Sequence, residues 1–147
     1  MIPSVLIAIV TLAPPTAPHP LEGSWRITYP WHVEIENGVP KPTMESGRMT
    51  VTAIGDSLVA TIATAPSPIL PNGRAVRLAA LRGSGPVTFE ESGQVTVSTP
   101  NGNRTMTDVI TWTFEPAGDR LTGTLGRRIV GMASDTKPLP LDGIRVR

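Results

Sequence analysis

From Gly23 onward the chain alternates. Trp25, Ile27, Tyr29, Trp31, Val33 and Ile35 hold the odd positions; Ser24, Arg26, Thr28, His32, Glu34 and Glu36 hold the even ones, with Pro30 the single interruption. A period of two marks a β-strand with one buried face and one solvated face. The pattern predicts that the odd row faces a core. It also predicts that His32, Glu34 and Glu36 continue the wet face.

Turn residues set the registers of the later strands. Gly55-Asp56 suits a two-residue turn with Gly first, pairing Ala53 with Leu58, Val51 with Ala60 and Met49 with Ile62. Glu91-Ser92-Gly93 suits a three-residue loop that pairs Phe89 with Val95 and Val87 with Val97. Asn101-Gly102 suits a second tight turn, pairing Val97 with Met106 and Val95 with Asp108. A loop over Pro116-Ala117-Gly118-Asp119 then pairs Phe114 with Leu121, Trp112 with Gly123, Ile110 with Leu125 and Asp108 with Arg127. Each register brings like faces together, which is what a specified pairing requires.

Further strands fall at 74 to 82, of ambiguous facing, and at 141 to 147, with Ile144 and Val146 expected inward. Proline-marked segments, "NGVPKPT", "APSPILPNG" and "SDTKPLP", read as loops. The stretch "TVTAIGDSLVATI" is echoed by "TWTFEPAGDRLTGTL", one hairpin type used twice. Such a meander leaves two exposed edges unless the sheet closes. The expected fold is therefore all-β: an antiparallel up-and-down meander closing into a small 8–9-stranded barrel, its first and last strands adjacent. The alternative is an open β-sandwich.

Composition narrows the function. The chain of 147 residues is 39 % hydrophobic, with 14 Gly and 16 Pro, and suits one domain without long helices. A net charge of +1, with no like-charged run longer than a pair, argues against a nucleic-acid surface. Without cysteine there is no disulfide, thiolate site or Cys nucleophile. No G-x-S-x-G elbow occurs, and "RGSGP" lacks the Lys of a phosphate loop. These readings predict neither an enzyme nor a cofactor.

Residues 1–20 differ from the rest. The apolar run 5 to 13, "VLIAIVTLA", precedes the Pro-rich "PPTAPHP". It is too short to cross a bilayer core ~30 Å thick, so no stable membrane insertion is expected. It fits the h-region of a signal peptide, implying a secreted or periplasmic protein, although no Lys or Arg precedes it. An uncleaved apolar tail is the other reading. The domain proper is taken as 21–147.

Gly23-Ser24-Trp25, opening the first strand, resembles the G-x-W start of lipocalins and related calycin barrels. "LEGSW", two Gly-Asp-x-Leu hairpins and the final Gly143-x-Arg145-x-Arg147 are similar to small secreted lipocalin-like barrel proteins of bacteria. The resemblance implies that Trp25 plugs one barrel end, with Arg145 or Arg147 packed near it. A T-D-Y turn motif and a helix after the last strand, both features of true lipocalins, are missing.

Candidate chemistry centres on the barrel interior. Asp108 and Arg127, opposed on the inward face, form either a satisfied structural pair or the polar hook of a cavity walled by Trp25, Tyr29, Trp112 and Phe114. The leading expectation is a barrel that binds a small apolar or amphipathic ligand through these six residues. The second is a protein-interaction or inhibitor module with a packed core, acting through loops 37 to 44 and 64 to 73. His32, Glu34 and Glu36 could hold a metal only if that row lined an open barrel mouth. The solvated face is the expectation.

Overall fold

The computed structural model describes residues 17–66, 71–133 and 137–147. The apolar run 5 to 13 lies outside the described residues. Eight strands make one antiparallel sheet: β1 (Gly23–Glu36), β2 (Val39–Ile54), β3 (Ser57–Thr64), β4 (Arg74–Leu81), β5 (Val87–Thr99), β6 (Gly102–Ala117), β7 (Arg120–Ile129) and β8 (Leu139–Arg145). Their order is β4-β3-β2-β1-β8-β7-β6-β5, so the meander is closed by the pairing of β1 with β8. The barrel is nearly complete. Its seam lies between β4 and β5, which share no ladder and are bridged by the Arg74–Glu91 ion pair.

The Gly55-Asp56 turn gives the expected register throughout β2 and β3. Elsewhere the ladders differ from expectation. No turn forms at Glu91-Ser92-Gly93: β5 runs straight through it, and Phe89 opposes Trp112. Gly93 takes none of the positive-φ conformation that a tight loop needs. The β5–β6 turn is centred on Pro100-Asn101, so Val97 opposes Arg104 and Val95 opposes Met106. In the β6–β7 hairpin Gly118, at φ 65°, starts a two-residue turn. Pro116 and Ala117 stay in the strand, Trp112 opposes Leu125, and Phe114 opposes Gly123. These two slips conserve side-chain parity, so the faces survive.

Parity fails in two places. β1 bulges at Trp31, which has no partner between Pro30↔Met44 and His32↔Thr43. Proline, lacking an N–H, is suited to such a break. Beyond it, Val33 and Ile35 are exposed, not buried as the alternation predicts. In β8 the inward residues are Leu141 and Gly143, and Ile144 and Val146 face solvent. The odd row carries Arg145 to the partner position of Trp25, its guanidinium carbon 4.2 Å from that ring centroid.

The expected loop at 37 to 43 is a tight Asn37-Gly38 turn, with both residues at positive φ, followed by the first half of β2. Among the described residues β1 has no ladder with β8 above Thr28, and β2 none with β3 above Gly47. Residues 30–46 therefore project as a two-stranded ribbon. Thr43 lies on the Met49 side of β2, so its partner His32, with Glu34 and Glu36, continues the barrel-facing side. Val33, Ile35 and Met44 lie on the opposite side, and all three are exposed.

The two ends of the barrel differ. At one end the segment before β1 folds across the opening, with Leu21 fully buried and the Trp25 indole N–H donating to its carbonyl at 2.9 Å. Arg145 donates to the carbonyls of Glu22 and Pro20, at 2.7 and 2.9 Å. His19 bonds Gly83 through its Nε2 at 3.0 Å. The other end carries the two long hairpins and stays open.

Candidate functional site

The splay of β1 away from β8 makes a cleft of about 530 Å³ at the open end. Its apolar wall comes from Trp31 in the bulge, Ile110 of β6, Leu125 of β7 and Leu139 of β8. Polar groups stand among them: Arg74, Asp108, Arg127, Lys137 and His32. Three of these side chains are cations and one is a carboxylate, which gives the lining a positive excess. Burial in a concave, partly apolar surface strengthens each charge relative to open water.

Asp108 and Arg127 do meet, although not as direct partners. Asp108 opposes Ile129 and Arg127 opposes Ile110, so the two are diagonal neighbours on the inward face. Their contact is a fork: Arg127 Nε donates to both carboxylate oxygens at 2.9 and 3.1 Å, and Nη2 donates at 2.8 Å. Asp108 is largely covered, while Arg127 is well exposed at 60 %. The hydrogen bonds that it donates to Asp108 push the Arg127 pKa up, against a smaller opposing effect of burial. Among the described residues its remaining N–H groups have no partner and can meet a ligand.

Arg74 is held in a second network. It forks onto Glu91, whose Oε2 also accepts the Trp112 indole N–H at 3.0 Å. Its guanidinium carbon lies 5.0 Å from the Trp31 ring centroid, a cation–π distance. This arrangement ties the barrel seam to the wall of the cleft.

Below the cleft the interior is filled. Trp25, Tyr29, Phe89, Trp112 and Phe114 have no exposed surface. Tyr29 meets Trp112 edge-on at 5.3 Å between centroids, and Trp112 stacks near Phe114 at 6.3 Å. Of the six residues that the sequence singles out, Asp108 and Arg127 line the cleft, whereas Trp25, Tyr29, Trp112 and Phe114 belong to the packed core beneath it. The lining residues Ile110, Leu125, Leu139, Arg74 and Lys137 carry no motif. Trp31 had a signal: a Pro inside an alternating strand announces a bulge, and the residue after it is redirected.

Tyr29 is a buried polar group of note. Among the described residues its hydroxyl has no hydrogen-bond partner, and the nearby Thr64 hydroxyl is engaged with the Arg74 backbone instead. Burial, then the charge of Glu45, pushes its pKa up to about 12, with Arg74 and Thr64 acting the other way.

His32, Glu34 and Glu36 are all exposed on the ribbon, and Glu36 pairs with Lys41 at 3.1 Å. His32 reaches the cleft. Among the described residues, no three His, Asp or Glu side chains are grouped to hold a metal ion. Comparison of the chain with family models, with characterised proteins and with solved structures gives no match.

Proposed function

We propose that this protein is an exported, non-enzymatic barrel that holds a small amphipathic ligand in the cleft at its open end. The carrying observation is the cleft itself: about 530 Å³, with an apolar wall and the Arg127 guanidinium fixed by Asp108. Ligand sites generally measure ~300–1,000 Å³ and combine mostly apolar lining with a few placed polar groups. The apolar part of the ligand lies on Trp31, Ile110, Leu125 and Leu139. Its polar head meets the open edge of Arg127, which Asp108 holds in place. A barrel end closed by Trp25 under Arg145 agrees with the lipocalin-like resemblance, and supports reading the opposite end as the entrance.

The test is native mass spectrometry and Trp fluorescence with a panel of fatty acids and hydrophobic dyes. One-to-one adducts are expected for the parent, and none for Leu125→Trp, whose larger ring fills the cleft. If the parent retains no ligand and its Trp emission does not change, the proposal fails.

A second reading is favoured by the ribbon, where Val33 and Ile35 are 46 % and 75 % exposed. It makes the protein an interaction or inhibitor module that grips a protein partner with this arm. Ile35→Lys with Met44→Lys, two exposed positions of the ribbon outside the cleft lining, then abolishes partner capture and leaves ligand uptake intact.

A further inference from the structure

The outer wall of the barrel carries an arrangement unrelated to the cleft. Arg26 of β1 and Arg48 of β2 are direct cross-strand partners, and both are exposed. Side chains so opposed start about 5 Å apart, and like charges in this position destabilise a sheet. Among the described residues neither guanidinium has a carboxylate partner. Asp142, on the same face, opposes Thr28 one row along and forms no ion pair with either. Both arginines border a depression of about 350 Å³ where β3 parts from β2, and Ser46 adds a hydroxyl to it.

We propose that Arg26 and Arg48 together bind a phosphate or sulfate group on the barrel wall. A guanidinium is a flat fork that donates two parallel hydrogen bonds to an oxyanion. Two forks side by side can hold a tetrahedral anion from two sides, and its charge removes the repulsion between them. Such a group is carried by a lipid headgroup or by a soluble phosphorylated or sulfated molecule; the chemistry at the arginines is the same.

The experiment is thermal melting of the full chain in sodium phosphate and in sodium chloride at matched ionic strength and pH. Phosphate is expected to raise the midpoint above its chloride value. Arg26→Gln and Arg48→Gln should each raise the phosphate concentration needed for a given rise in midpoint about tenfold or more, as expected for lost charged hydrogen bonds. Arg48→Lys keeps the charge and loses the fork, and should weaken it too. Equal effects of phosphate and chloride, or an unchanged response in the double Gln variant, would overturn the proposal. Sedimentation with phosphatidylcholine vesicles, with and without phosphatidic acid, separates the sources. Binding to the acidic vesicles alone, lost in the double variant, assigns the lipid headgroup. A phosphate response without vesicle binding assigns a soluble molecule.

Discussion

Tyr29 is the only tyrosine in the chain, so the absorbance of its phenolate can be read without interference from another. Its hydroxyl is buried, without a partner among the described residues, and its pKa is pushed from 10.0 up to about 12. Below pH 10 the phenol is neutral in both folded and unfolded chains. Between pH 10 and about 12 the unfolded chain ionises first, so stability falls as pH rises and this contribution is lost above 12. Two units at about 1.36 kcal/mol each put the upper size of the loss at about 3 kcal/mol. Removing the hydroxyl removes both effects. Tyr29→Phe should unfold at equal or higher urea near pH 7, gaining up to about 1 kcal/mol because an unsatisfied buried group has gone. It should also flatten the decline in stability between pH 10 and 12. Urea unfolding at several alkaline pH values, beside an absorbance titration of the parent, measures both quantities. A phenolate midpoint near 10 in the folded parent, or a Tyr29→Phe variant as alkali-sensitive as the parent, would refute the reasoning.

Three other changes probe the frame. A Cβ at Gly123 would overlap the Thr113 carbonyl oxygen and crowd Leu141, so Gly123→Ala should lose more than about 3 kcal/mol in urea unfolding, or fail to fold. Gly93 is extended, with open space where its Cβ would stand. Gly93→Thr should therefore be neutral or gain up to about 1 kcal/mol, and a large loss would mean that the loop at 91 to 93 forms after all. Arg145→Ala removes the cover of Trp25 and the hydrogen bonds to Pro20 and Glu22. It should cost about 2–4 kcal/mol and speed amide exchange at Leu21; unchanged exchange there would show that the strap is idle.

Fold class was legible because alternation and turn chemistry agree over most of the chain, and because a parity error is far more costly than a register error. The slip at β6–β7 shows the difference. Trp112 and Ile110 point inward in either register, since a shift of a whole pair conserves parity. The correct register was also available: Gly118-Asp119 echoes Gly55-Asp56, and the same Gly-first turn serves both hairpins. Even the backbone bond after each turn repeats. Arg82 N–H donates to Asp56 at 2.7 Å, and Arg145 N–H to Asp119 at 2.8 Å. What could not be read was where strands part. The split of β1 from β8 leaves no periodic trace, the bulge at Trp31 is marked by Pro30 alone, and the cleft depends on both. Its lining gathers residues from β1, β4, β6, β7 and β8, with no spacing in common. Asp108 and Arg127 stood out, because a charge on an inward row demands a partner.

The filled interior decides where a ligand can go. An eight-stranded barrel is just wide enough for its own side chains to fill, or for one small ligand. Here Trp25, Tyr29, Phe89, Trp112 and Phe114 occupy the central volume without exposed surface, so a ligand in the middle would have to displace several aromatic rings. The mouth imposes no such cost. Trp31, lifted by the bulge, and Arg74, fixed by Glu91 and stacked on that ring, form a rigid rim. Opposite them Arg127 is braced by Asp108. The bulge therefore does two things at once: it ends the buried row of β1 and turns the next aromatic residue into a wall. Closing one end with Leu21, Trp25 and Arg145 leaves the other end free to splay, because the closed end already fixes the β1–β8 pairing that holds the barrel together.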